Sequence, residues 1–340
     1  MLGLGLTFFA VFSVAVVWLY FGQGNAITDG VVVLFGIFSL ITLIERWRGK
    51  IRLGFGLRGG APRELLVGFG ICMLAMAGIF CAEWALGAIE VRGIGLEIGI
   101  LAANFGFLVL IWAPFEETLR MLMLNGMRAV FRRDWIAIAL ASVAFGLIHA
   151  ANDHATALSV TSNALGGIMY ALAFVRTSRI WMPIGLHAAW NFVQGTLLGF
   201  PVSGATDWSV GLVRQAEVGN DLLTGGAFGP EGGLVGITFR LVVIGLVVLA
   251  TRRALPRSAG PIHGFVEEDR RGDRRSGTGR RKEHRVDKGK GAGTPARPRL
   301  YQRIDLGLMD VAGLLGSPML LCGWLLKFVW ILKGFSEVHP

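Results

Sequence analysis

Cysteine and charge are both scarce in this chain of 340 residues. Cys72, Cys81 and Cys322 are the only cysteines, and all lie in apolar segments without CxxC spacing. That argues against a disulfide framework and against a cysteine-ligated zinc site. Charged residues make up 16% of the chain and apolar residues 53%, with a mean hydropathy of +0.58, which excludes an ordinary soluble domain. No GxSxG surrounds Ser142, Ser159 or any other serine, so a nucleophile elbow is absent. No HExxH occurs either, which excludes a zincin-type helix.

What is present is a series of apolar runs near the length that a bilayer-spanning helix requires. They fall at about 3–21, 30–45, 66–88, 98–120, 136–150, 156–175, 181–199 and 235–251. Residues 1–21 lack the basic n-region and small-residue cleavage site of a signal peptide, so they read as a retained first span. The expected fold is all-α, a polytopic membrane helix bundle of about eight transmembrane helices occupying residues 1–251.

Loop charge gives an orientation. Loop 46–64 carries Arg46, Arg48, Lys50, Arg52, Arg58 and Arg63; loop 128–134 carries Arg128, Arg132 and Arg133; the turn at 176–180 carries Arg176 and Arg179. The alternate loops are poor in Lys and Arg, and 200–234 holds Asp207, Glu217, Asp221 and Glu231 against Arg214. By the positive-inside rule, both ends of the eight-span body face the cytoplasm.

Residues 252–303 hold 16 Lys and Arg against 6 Asp and Glu, a surplus equal to the formal charge of +10 for the whole chain. Rich in Arg, Gly and Pro, residues 252–305 read as a disordered basic tail on the cytoplasmic side. Anionic lipids of the inner leaflet are its expected partner. No aromatic residue interrupts the stretch from Glu267 to Leu300, so base stacking has no platform and nucleic acid is not the expected partner. The segment 306–340 turns apolar again from Leu306 to Leu332, and the sequence leaves open whether it spans the membrane.

Polar residues inside apolar spans carry the functional information, because an ionisable group there is expensive. Glu116, Glu117 and Arg120 lie in the fourth span, with Glu116 and Arg120 at i and i+4 on one helix face. Phe145 and His149 share the i, i+4 spacing in the fifth span, as do His187 and Asn191 in the seventh. An ion pair with Arg120 accounts for one of the two acids but not for both. Adjacent carboxylates in a low-dielectric site tend to divide into one protonated and one ionised group. A lone histidine is often a hydrogen-bonded core residue; two of them beside a diacid suggest a hydrolase. Asn191 suits either interhelical hydrogen bonding or donation to a developing oxyanion. Asn163 and Tyr170 read as packing groups, and Asp153 and His154 as loop residues. For Glu116 to share a depth with His149, the fourth helix must run to about residue 127 rather than end at 120, and the longer helix is expected.

The three motifs in order resemble the CAAX prenyl endopeptidase and bacteriocin-processing (CPBP, or Abi) family of intramembrane proteases. EExxxR matches Glu116–Arg120, FxxxH matches Phe145–His149 and HxxxN matches His187–Asn191. The resemblance covers about residues 98–200. It implies an intramembrane endopeptidase in which Glu116 activates water with help from His149. Glu117 and Arg120 orient the site, and His187 with Asn191 stabilises the oxyanion. Glu116, His149 and His187 are the implied ligands if zinc is used; a metal-free mechanism suits the same residues equally. The implied substrate is a membrane-associated protein or peptide. The Gly- and Arg-rich character points to a bacterial inner membrane, where a prenylated substrate is not expected. A catalytically silent scaffold or bacteriocin-immunity-type protein is the alternative from another class. A transporter with a carboxylate proton relay is disfavoured, because no inverted repeat is visible.

Overall fold

In a computed structural model, the described residues are 26–252, apart from 52, 58, 59, 210 and 211. The first expected span (3–21), the basic tail beyond residue 252 and the apolar segment 306–340 lie outside the described residues.

The described part of the chain is mostly helical. Helix α1 (Ala26–Trp47) is followed by α2 (Ala61–Ala85) and a short strand β1 (Ile89–Ile94). Next, α3 (Ile98–Asn104), a π-helical stretch (Phe105–Trp112) and α4 (Ala113–Phe131) form one unbroken helical run. Helices α5 (Asp134–Ile148), α6 (Ala157–Thr177) and α7 (Trp181–Asn191) follow, and α7 continues as a second π-helical stretch, Phe192–Leu197. Strand β2 (Val213–Glu217), a single turn α8 (Asp221–Thr224) and α9 (Leu234–Ala250) complete the described chain.

Among the described residues, five helical runs are long and apolar enough to cross a membrane: Thr28–Trp47, Ala61–Ala85, Ile98–Phe131, Asp134–Ala151 and Ala157–Thr177. Helix α9 is apolar but shorter. The third of the five runs, which holds the expected fourth span, continues past Glu116 to Phe131, the longer helix expected if Glu116 is to share a depth with His149. Large apolar side chains such as Leu66, Leu74, Leu110 and Val143 face outward, while Glu117, Arg120, Asn163, His187 and Arg240 are buried. That polarity is the reverse of a water-soluble bundle and suits an apolar solvent.

The all-α expectation needs one correction. Strands β1 and β2 pair antiparallel, with Ile89 opposite Glu217 and Ile94 opposite Val213, and a bulge falls between Val91 and Gly93. Both are short, and both occupy stretches that length alone assigns to loops between spans. Each can pair only because the fold brings two connectors, more than a hundred residues apart in sequence, to the same end of the bundle.

Glycines let the helices meet closely. A Cβ on Gly185 of α7 would stand 2.1 Å from the Leu65 carbonyl oxygen of α2, and one on Gly68 of α2 would stand 2.4 Å from the Met182 carbonyl oxygen of α7. The α2 and α7 backbones are therefore nearly in contact, the small-residue packing that holds helices together without a hydrophobic driving force. Gly185 is two residues from His187, so α2 forms the backing against which the histidine helix is set. Helix α1 is joined to α4 by a hydrogen bond from Thr42 Oγ1 to the Leu122 carbonyl, 2.6 Å.

Candidate active site

The polar cluster forms where α4, α5, α6 and α7 converge. Pro114 sits in the first turn of α4 and lacks the N–H an α-helix would use there. The wide turn just before it re-seats the ladder, with the Ala113 N–H bonding to the Leu108 carbonyl five residues back. Such π-helical turns recur at functional sites. Here one immediately precedes the Glu116–Glu117 pair and the other immediately follows Asn191. Asn104 Nδ2 donates to Thr196 Oγ1 at 3.1 Å, linking the two irregular regions.

Depth is matched by the connection between α4 and α5. Glu116 lies fifteen residues before Phe131, the last residue of α4, and His149 lies fifteen residues after Asp134, the first of α5. At 1.5 Å per residue both are about 22 Å from the same end of the bundle. The joint is tight: Arg132 takes a left-handed conformation with φ 54°, and Arg128 Nε donates to Asp134 Oδ1 at 2.8 Å.

The two adjacent carboxylates have different surroundings. Glu117 is 2% exposed, whereas the Glu116 side chain keeps 21% of its surface. Arg120 holds Glu117 through Nε to Oε2 at 3.2 Å and Nη2 to Oε1 at 3.0 Å. Its Nη2 is 3.9 Å from Glu116 Oε2. The Arg120 guanidinium carbon lies 3.6 Å from the Phe145 ring centroid and 4.5 Å from that of Tyr170. Neither Nη1 nor Nη2 has a well-aligned hydrogen-bond partner, so two aromatic faces do much of the solvating of this buried cation. This gives the phenylalanine of the FxxxH motif a physical role.

His187 continues the chain from Glu117. Its Nδ1 stands 2.7 Å from Glu117 Oε1, and its Nε2 stands 3.0 Å from Asn191 Nδ2 and 3.6 Å from Glu116 Oε2. An ionised Glu117 requires the proton on Nδ1, which leaves the Nε2 lone pair to accept from the Asn191 amide. The ring stacks on Tyr170 with centroids 5.2 Å apart. One N–H of Asn191 is thereby used and the second is available to another acceptor.

His149 begins a short 3-10 turn at the end of α5, and its Nδ1 donates to the Phe145 carbonyl at 2.7 Å. In the neutral ring that bond leaves Nε2 as the acceptor nitrogen. Its ring packs on Phe145 at 4.4 Å, and it is within electrostatic reach of Arg120 and His187. Glu116, Glu117, Arg120, His187 and Asn191 are thus joined by direct contacts. His149 is attached to them through Phe145 and makes no direct hydrogen bond to Glu116.

Glu116, His149 and His187, the ligands implied for zinc, do not converge as a metal-holding group among the described residues. Both nitrogens of His187 already have partners, and Nδ1 of His149 is directed at its own helix.

Tyr170, read from sequence as a packing group, stacks on His187 and covers Arg120, and no spacing rule announces that role. Glu231 and Arg240 form a second buried ion pair at 2.8 Å. The signal for Arg240 was present: a lone arginine inside an apolar helix is costly for the same reason as Glu116.

Residues 97–193 match the family model for type II CAAX prenyl endopeptidase, Rce1-like. The resemblance carried by the three motifs is therefore shown over the segment that holds all six candidate residues. At this level the match is to a family of CAAX-type membrane proteases, and with the five apolar helical runs it makes the chain an integral membrane protein. None of the curated proteins and none of the solved structures matches the chain.

Proposed function

We propose that this protein is an intramembrane endopeptidase that hydrolyses a peptide bond in a membrane-associated protein or peptide without a metal ion. The observation that carries the reading is the unequal environment of the two acids. Glu117 is fully engaged by Arg120 and His187, whereas Glu116 is part-exposed beside the same groups.

In this reading Glu116, with His149 Nε2, takes a proton from water as the hydroxide oxygen attacks the scissile carbonyl carbon. The free N–H of Asn191 donates to the oxyanion that forms. Glu117 and Arg120 act through His187, which holds the Asn191 amide in place. Collapse of the tetrahedral intermediate breaks the C–N bond, and the proton taken from water passes to the departing amine. The products are a new carboxyl terminus and a new amino terminus.

The finer topology belongs to the same reading: eight spans, both ends of that body in the cytoplasm, and the basic tail on anionic lipid of a bacterial inner membrane. The family description names a CAAX prenyl endopeptidase; the substrate class proposed here is a membrane-associated protein or peptide.

The test compares protein termini in membranes containing wild type or Glu116→Gln at matched expression. Termini present only with wild type support the protease and identify its substrates. Identical termini, with any phenotype restored by Glu116→Gln, would replace it with a scaffold.

A further inference from the structure

We propose that the buried Glu231–Arg240 pair is a positioning device for this site, its carboxylate tying the helix of His187 and Asn191 to the turn of His149. The inference rests on the proteolytic reading above, and both residues lie beyond the segment 97–193 that matches the family.

Each oxygen of Glu231 reaches a different part of the site. Oε2 accepts from Trp190 Nε1 at 3.0 Å and from Arg240 Nη2 at 2.8 Å, and Trp190 directly precedes Asn191 on α7. Oε1 accepts from Ser203 Oγ. The Ser203 carbonyl in turn accepts from Asn152 Nδ2 at 2.9 Å, and the Asn152 N–H bonds to the His149 carbonyl at 3.2 Å. One carboxylate therefore connects the oxyanion helix on one side and the base-bearing turn on the other. A further tie runs from Gln194 Nε2, three residues past Asn191, to the Pro201 carbonyl at 2.6 Å.

Arg240 secures the carboxylate from behind. Its guanidinium donates to the Ser162 carbonyl and to Asn163 Oδ1 (3.1 Å) on α6 and lies 4.8 Å from the Trp190 ring centroid. Gly166 leaves the space: a Cβ there would stand 3.1 Å from Nη1. Glu231 and Arg240 are each 2% exposed. Stability alone does not ask for such a pair, since well-packed apolar residues are often as good or better. Apolar packing cannot supply directed hydrogen bonds to Trp190 and Ser203 at once, and a misplacement of 1 Å among reacting groups can cost about 100-fold in rate.

The test uses the full chain in lipid nanodiscs, with cleavage kinetics and amide hydrogen exchange. The variant Glu231→Gln/Arg240→Met removes both buried charges together, so neither is left unpaired. Asn152→Ala cuts only the link to the His149 turn, and it decides the matter if the double variant fails to insert. Expected for both is a fall in kcat of about 10- to 100-fold with KM little changed, and faster exchange at 149–155 with α2 unaffected. Wild-type kcat in a folded Asn152→Ala and double variant would overturn the proposal. A wild type that cleaves nothing sinks the proteolytic reading instead. Exchange then decides the coupling alone: acceleration at 149–155 supports it, and unchanged exchange overturns it.

Discussion

Glu117 Oε1 and His187 Nδ1 stand 2.7 Å apart, and that bond separates the roles of two carboxylates adjacent in sequence. An acid committed to Arg120 and to an imidazole N–H, and 2% exposed, is closed to a substrate. Its effect reaches the reaction through His187 and then Asn191. Glu116, one residue earlier and a hundred degrees around the helix, keeps its access.

Replacing each acid by its amide should therefore give different failures. Glu116→Gln is expected to lower kcat by about 10²- to 10⁴-fold with little change in thermal unfolding. Glu117→Gln leaves Arg120 without its close counter-charge and should cost about 3–5 kcal/mol of stability as well as activity. Unfolding in detergent measured beside peptide cleavage separates the two, and equal destabilisation by both would contradict the assignment.

The aromatic cage around Arg120 makes a second prediction. Phe145→Leu keeps an apolar side chain but removes the ring 3.6 Å from the guanidinium. Loss of about 0.5–2 kcal/mol is expected, and Phe145→Tyr should retain most of it. Tyr170→Phe keeps both the stack on His187 and the cover of Arg120, so it should behave as wild type, while Tyr170→Leu should not. Thermal unfolding of the four variants checks this, and a silent Phe145→Leu would remove the cation–π account.

Metal removal should leave the enzyme active. Both His187 nitrogens are occupied and the three ligands implied for zinc do not form a metal-holding group. Prolonged treatment with phenanthroline or EDTA should change kcat by less than about twofold, below 0.5 kcal/mol in barrier. Activity lost to chelation and restored by zinc alone would replace the proposed mechanism.

Much of this arrangement was legible in the chain, for identifiable reasons. Spans announce themselves by apolar length, and Glu116, Glu117 and Arg120 by their cost within one. The i, i+4 spacings put each polar residue one turn from its partner, and the demand that Glu116 and His149 share a depth called for a fourth helix longer than its first apolar run. Other features depend on tertiary placement. Glu231 looked like Asp207 or Asp221, one more acid in a polar loop, and only the folding of 200–234 over α7 and α9 buries it. Tyr170 owes its role to which rings and cations it meets. The β1–β2 pair joins two connectors whose alternation is too short to register. Arg240 was readable by the same cost argument as Glu116 and stood inside a span already assigned.

The strand pair supplies a prediction outside the membrane. Burial lifts the Glu217 carboxyl from its ordinary value near 4.5 to about 7, the nearby Asp221 adds to the rise, and a hydrogen bond with Thr224 opposes it. Glu83, buried with neither carboxylate oxygen partnered, is a further acid within electrostatic reach. A pKa raised on folding means that the folded state holds the proton more tightly. Its contribution to stability is complete below about 4.5 and is lost as pH rises through about 7. Exchange protection in 89–94 and 213–217, corrected for intrinsic rates, should accordingly fall between pH 5.5 and 8. Glu217→Gln, which cannot ionise, should hold the pairing equally at both. The same pH dependence surviving in Glu217→Gln would show that another group governs this end of the bundle. Loss of protection in α2 to the same extent would mean that the whole bundle, rather than the strand pair, responds to pH.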